Sequence, residues 1–215
     1  MTEIVPIPSP GVALEYGEPG NPIVVLIHDW FGRLPSLEFY AEALVRHGFR
    51  VVVPDLYNGF ATTDEATARR LLDELDVGFA LSLVDDAIEE GRAQGSDRVG
   101  VVGFAMGGWI ALLHAQAGSA DAVVAYYASL EGKDHGVIPC PVQLHLAADD
   151  DWAEGQDPDS FVDRLKEHGT PVTRYTYPGT RHGFANATIH GTLDAQSAAL
   201  AYARTARFLE LHLLE

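Results

Sequence analysis

Apolar residues along this chain fall into two alternating patterns. Short, β-branched runs occur at PIVVLIH (22 to 28), RVVVPDL (50 to 56), RVGVVGF (98 to 104), DAVVAYYA (121 to 128), PVQLHLA (141 to 147) and PVTRYTY (171 to 177). They are nearly continuous instead of alternating with polar residues, which predicts central strands covered on both faces. Between them lie stretches of helical period. In SLEFYAEALVRHG, Leu37, Tyr40, Ala41, Leu44 and Val45 follow the i, i+3, i+4, i+7, i+8 spacing, and Gly48 supplies the stop. A second helix is expected from an Asp157 N-cap and Pro158, burying Phe161 and Leu165 and ending before Gly169. A third follows Asp194 and carries Leu200, Ala201 and Phe208 on its apolar positions. Strands alternating with helices predict a mostly parallel, doubly wound α/β sheet with helices on both faces, and the segment around PSPG predicts an added antiparallel hairpin. With no repeat and no linker of Pro, Gly or Ser, residues 1–215 are expected to form a single domain. Ligands of such sheets bind beyond the carboxyl ends of the strands.

At one of those ends the chain runs from strand RVGVVGF into GFAMGG (103 to 108), then into the helix-forming WIALLHAQA and a stop at Gly118. In the nucleophile elbow G-x-S-x-G, a strained turn presents the central residue and flanking glycines let strand and helix approach. Gly103 and Gly107 hold the flanking positions, and Ala105 holds the central one. On this motif alone, an elbow and an ordinary glycine-rich turn are both open. A dinucleotide-binding turn fits less well, because GFAMGG does not match G-x-G-x-x-G and comes in mid-chain. Later strand ends carry the other members of a triad in the order nucleophile, acid, histidine: PVQLHLA leads into ADDDWAE, and RYTYPGT leads into RHGFAN. Asp149, Asp150, Asp151 and His182 are thus expected at one sheet edge with the elbow, a constellation suited to acyl transfer.

Composition narrows the function classes. The formal charge of −17, from 31 acidic against 14 basic residues, repels polyanions, so nucleic acid is not an expected partner. No apolar run reaches the ~20 residues of a membrane-spanning helix, and the N-terminal segment lacks the layout of a secretory signal, which together predict a cytoplasmic protein without a membrane partner. Cys140 stands alone, and its place in IPCPVQLHL predicts a small apolar filler near a strand start. Neither H-E-x-x-H nor a Cys/His cluster occurs, so no metal is expected, and acyl transfer requires no organic cofactor.

Taken together, these segments resemble the dienelactone hydrolase family, of α/β-hydrolase fold, over nearly the whole chain. IHDWFG is similar to that family's Q-E-I-F-G stretch, PDLY to a strand end, GFAMGG to its G-x-C-x-G-G elbow, ADDD to its G-x-x-D acid loop and RHGFAN to its H-x-F loop. The resemblance implies a small ester or lactone substrate, with Asp150 as the acid, His182 as the histidine, and the backbone N–H groups of Trp30 and Met106 as oxyanion donors. Asp29 aligns with a glutamate implicated in the proton balance of the family's thiol. A loop carboxylate capping nearby backbone donors is the alternative role for Asp29. Monomer and homodimer are both open.

Two departures qualify the resemblance. The family enzyme holds its substrate carboxylate with an arginine four residues beyond the histidine, where this chain has Asn186. Any clamp would fall to another residue such as Arg69, Arg70 or Arg181. At the nucleophile position, the methyl of Ala105 can neither attack a carbonyl nor release a proton, so covalent catalysis through residue 105 is excluded. Either a Cys or Ser has been replaced to trap intact substrate, or a natural loss has left a non-catalytic binding protein. Retention of Asp150, His182 and the glycines favours the former.

Overall fold

The computed structural model describes residues 3–151 and 157–215; residues 152–156, which form part of the acid loop expected above, lie outside the described residues. Strands β1 (Leu14–Tyr16), β2 (Ile23–Ile27), β3 (Arg50–Val53), β4 (Val99–Phe104), β5 (Ala122–Tyr126), β6 (Val142–Asp149) and β7 (Val172–Arg181) form one sheet in the order β1-β3-β2-β4-β5-β6-β7. All neighbours pair in parallel except β1, which runs antiparallel to β3. The helices are α1 (Pro35–Val45), α2 (Glu65–Asp73), α3 (Val77–Ala93), α4 (Met106–Ala115), α5 (Pro158–Glu167) and α6 (Ala195–Leu213). The arrangement is the doubly wound α/β fold that the alternation of patterns predicts.

The apolar runs are continuous because the sheet has a core on each side. Ile23, Val25 and Ile27 of β2 pack with Val84 and Ile88 of α3 and Ile110 of α4, while the intervening Val24 and Leu26 pack with Leu44 of α1 and Leu209 of α6. Burial on both faces removes the polar alternation that a half-exposed strand would show. Aspartates fix several helix starts. Asp64 and Asp76 cap α2 and α3 by accepting from Thr67 N–H and Phe79 N–H, and Asp157 and Asp194 cap α5 and α6 in the same way. Each cap satisfies donors that the first helical turn leaves unpaired, a contribution of about 1 kcal/mol.

Three expectations change. The N-terminal residues do not form a hairpin of their own: β1 pairs with β3, and Ile4 bridges to Thr62, so the antiparallel partner comes from later in the chain. PVTRYTY is not a doubly covered strand, because β7 lies at the sheet edge with Thr173, Arg174 and Thr176 exposed. Helices α2 and α3 fill a stretch for which the strand pattern predicts no element, although their Asp caps and the apolar spacing of Ala80, Val84, Ala87 and Ile88 are legible signals.

At the centre of the sheet, β4 turns directly into α4, and the helix start lies against the end of β2. A Cβ on Gly103 would stand 2.0 Å from Gly107 O, and a Cβ on Gly107 would stand 2.4 Å from His28 O. Both obstacles are backbone atoms and cannot swing aside. Gly107→Ala is therefore expected to cost more than about 3 kcal/mol, as an overpacked core site does. Gly132→Ala, at a position with open space around the added methyl, should change stability by less than about 0.5 kcal/mol. Urea denaturation of the two variants checks the contrast, and equal stabilities would show that the crossing is not tightly packed.

Candidate active site

Between β4 and α4, the sharp reversal places Ala105 at φ 49° and ψ −113°. A non-glycine residue in this region carries strain of about 1 to 3 kcal/mol, which the surroundings must hold. They do so through the backbone: Ala105 N–H donates to Tyr126 O at 2.8 Å, and Ala105 O accepts from Trp109 N–H at 2.9 Å. The strained turn thereby belongs to both the sheet and the helix. Met106, the first residue of α4, contributes one of the N–H groups that a helix start cannot satisfy internally.

Register explains how the acid and the histidine meet. Strands β6 and β7 stay paired past an irregularity between Ala147 and Asp149, so that Asp149 lies opposite Arg181. The next residues, Asp150 and His182, leave the paired strand ends side by side. His182 Nδ1 lies 2.9 and 3.0 Å from the two Asp150 carboxylate oxygens. A carboxylate only accepts, so Nδ1 carries the proton and Nε2 is the basic nitrogen of the neutral ring. Asp149 and Asp151 are exposed, whereas Asp150 is half-buried.

Asp29 and Trp30 follow β2 in the loop that passes the elbow. Asp29 is only 8% exposed, and its carboxylate accepts from Phe31 N–H at 2.9 Å and Asn186 Nδ2 at 2.7 Å. Burial pushes its carboxyl up to about 6, against the opposing pull of those two donors and of His182. The capping role raised for this residue is thus present, through Phe31. Beneath it, His28 donates from Nδ1 to Asp29 O at 2.7 Å and accepts Leu56 N–H at Nε2 at 3.1 Å, and burial lowers its pKa to about 4, keeping the ring neutral.

Tyr127 is a site residue that sequence patterning does not reveal. It has φ 52°, its hydroxyl accepts Ala185 N–H at 2.6 Å, and its ring centroid lies 5.2 Å from that of His182. It connects the end of β5, where Tyr126 O receives the elbow N–H, to the loop carrying the histidine. Nothing in DAVVAYYA distinguishes a core tyrosine from one that braces a loop.

Asp29, Trp30, Ala105, Tyr127, His182 and Asn186 share the lining of a cavity of about 50 Å³. A larger cavity, about 460 Å³, lies over Tyr57, Phe60, Leu71 and Phe79 on the α2 and α3 side and has none of Ala105, Asp150 or His182 in its lining. The chemistry-bearing groups lie at the smaller one, so size alone is a poor guide here. Among the three alternative arginines, Arg70 lines the larger cavity and Arg181 is exposed beside Asp149, while Arg69 lies 5.4 Å from the Trp30 ring centroid. Cys140 is buried before β6, where desolvation pushes its thiol up to about 12.

The model of the dienelactone hydrolase family matches residues 11–213. The chain belongs to that family. Similar proteins include carboxymethylenebutenolidase 1 of Cupriavidus pinatubonensis, 27% identical over an alignment of 204 positions that covers 88% of this chain and 86% of that one. Protein usf of Aquifex pyrophilus is 26% identical, with 90% of each chain covered. Among solved structures, a dienelactone hydrolase-like promiscuous phosphotriesterase from metagenomic libraries superposes with a TM-score of 0.80 at 19% identity, over 91% of this chain and 88% of that one. The dienelactone hydrolase of Anabaena variabilis does so at 0.68 and 17%, over 99% and 98%. These two likenesses are of fold, and they agree with the family's α/β-hydrolase architecture. Among the described residues, no helix of this member is long and apolar enough to cross a membrane.

The buried acid gives a pH prediction. The folded state holds the Asp29 proton more tightly than the unfolded chain does. Its contribution to stability is therefore fully present below the unfolded carboxylate range and is lost as pH rises through about 6. Between pH 4 and 8, the stability of the parent relative to Asp29→Asn should fall by on the order of 2 to 3 kcal/mol. Parallel pH-dependent denaturation curves for the two proteins would count against a raised Asp29.

Proposed function

We propose that this family member is built as a hydrolase site for small esters or lactones whose attacking atom is missing at residue 105. The single observation that carries the reading is the Asp150–His182 hydrogen bond beside the cavity that also holds the strained Ala105. With a Cys or Ser at 105, His182 Nε2 would accept the thiol or hydroxyl proton as sulfur or oxygen attacks the carbonyl carbon. Asp150 would orient the ring and stabilise its cation. The N–H groups of Trp30 and Met106 would hold the tetrahedral oxyanion, each worth about 3 to 4 kcal/mol in comparable sites. His182 would return the proton to the leaving alcohol, and water, deprotonated by the same ring, would release the acid.

The name carboxymethylenebutenolidase in relatives supports ester or lactone chemistry for this chain as well. Its alanine leaves substrate binding in place and removes the acyl-enzyme route. Strain at Ala105 favours a replaced nucleophile over a natural binding protein, since a turn with no catalytic duty would relax at lower cost with glycine. Asn186 in place of the family's arginine removes the bidentate cation that selects a substrate carboxylate.

Three outcomes test this reading. The chain with Ala105 should show no meaningful turnover of small aryl esters and lactones, and Ala105→Cys, or secondarily Ala105→Ser, should raise it by several powers of ten. If both variants melt normally yet stay as inactive as the alanine form, the binding-protein reading replaces the hydrolase one. In the Ala105→Cys background, Asp150→Asn should lower kcat by roughly 10⁴, whereas Asp149→Asn and Asp151→Asn should lower it far less. A larger loss from either neighbour would reassign the acid. On the same background, neutral esters should have kcat/KM values at least equal to those of matched carboxylate-bearing ones at pH 7.5; strong preference for the anion would reveal an arginine clamp.

A further inference from the structure

Beside the acid and histidine, the small cavity is lined by a second pair, the buried Asp29 and the half-buried Asn186, whose geometry goes beyond the loss of an arginine. One oxygen of the Asp29 carboxyl accepts Phe31 N–H at 2.9 Å, and the other accepts Asn186 Nδ2 at 2.7 Å. The amide cannot be turned round. Its own oxygen accepts the Ser36 hydroxyl at 3.2 Å and Thr188 N–H at 3.0 Å, so a flip would set the amide nitrogen against the Thr188 donor and the amide oxygen against the Asp29 carboxylate. Asn186 is thus a neutral donor locked from α1 and from its own loop, and Asp29 is locked by it.

Two of the roughly four lone-pair sites of the carboxyl are occupied in this way. The remaining ones can take a proton or face a ligand. We infer that Asp29, held by Asn186, is the charge selector of this cavity: ionised, it excludes ligands bearing a carboxylate, and protonated, it admits them by donating a hydrogen bond. The inference rests on the cavity being the substrate site. A carboxamide dipole leaves the Asp29 charge unneutralised, unlike a guanidinium. An anionic ligand would therefore meet, at short range, a carboxylate that Asn186 does not neutralise and that only the more distant pull of His182 opposes.

Burial pushes the Asp29 carboxyl up to about 6, so the selector would operate near neutral pH. Several groups face it. His182, backed by Asp150, and Glu65 border the same cavity; His28 stays neutral beneath it, and the Tyr57 and Tyr127 hydroxyls are pushed up by burial and by Asp29 itself. A protonated His182 would also attract anions in acid, so the test must separate the two groups.

The protein with Ala105 suffices, because binding and not turnover is measured. Phenyl acetate and 4-acetoxybenzoate form a pair differing by one carboxylate, which stays ionised across the range used. Their Kd values would be measured from pH 5 to pH 8 by calorimetric titration, with the esters checked to remain intact. The ratio of the anion's Kd to the neutral ester's should rise roughly tenfold or more with a midpoint near pH 6. Asp29→Asn should remove most of that rise, His182→Gln should retain it, and Asn186→Ala should move the midpoint upward because the carboxylate loses a donor. A ratio independent of pH, or a full rise persisting in Asp29→Asn and lost in His182→Gln, overturns the selector while leaving the substrate site intact. Failure of both esters to bind at any pH overturns the substrate site, and the selector with it.

Discussion

The rest of this site depends on the close crossing of β4, α4 and the end of β2. Two glycines allow three backbones to meet at distances that no side chain permits, and the turn between them then has nowhere to relax. Ala105 is held at a positive φ by bonds into both the sheet and the helix, so its side chain is presented where the strand ends. The crossing also brings the loop after β2, with Asp29 and Trp30, against the start of α4. One packing constraint therefore fixes residue 105, both proposed oxyanion donors and the buried carboxyl relative to one another.

A second, independent constraint positions the acid and histidine. They lie 32 residues apart in the chain, and β6–β7 pairing closes that separation. Because the register past the irregularity sets Asp149 opposite Arg181, the first residues beyond the pairing fall within one hydrogen bond of each other. A slip by one residue would offer Asp151 or Asp149 instead, and side chains one position apart point to opposite faces. Tyr127 ties this second assembly to the first. Its hydroxyl holds the histidine loop by Ala185 N–H, and it follows directly the tyrosine whose carbonyl receives the Ala105 N–H.

Electrostatically, the cavity brings two different carboxylate environments together. It is bordered by an imidazole hydrogen-bonded to the half-buried Asp150, and by a second carboxylate that burial has driven toward its protonated form.

The sequence by itself determined the fold class and most of the candidate site. Doubly buried strands leave continuous β-branched runs, helices leave a 3.6-residue period, and Gly103, Asp150 and His182 follow strand ends at which ligands of such sheets bind. These signals are local, so a linear pattern carries them. Helices α2 and α3 were also legible in their Asp caps, although the patterning of the strands drew no element there. Only the tertiary structure decided the rest. The edge position of β7, the pairing of β1 with β3, the bracing by Tyr127 and the Asp29–Asn186 bond all depend on contacts between distant segments. Residue type does not encode which of several carboxylates is desolvated or which tyrosine meets a loop amide; burial and register do, and both exist only once the chain is packed.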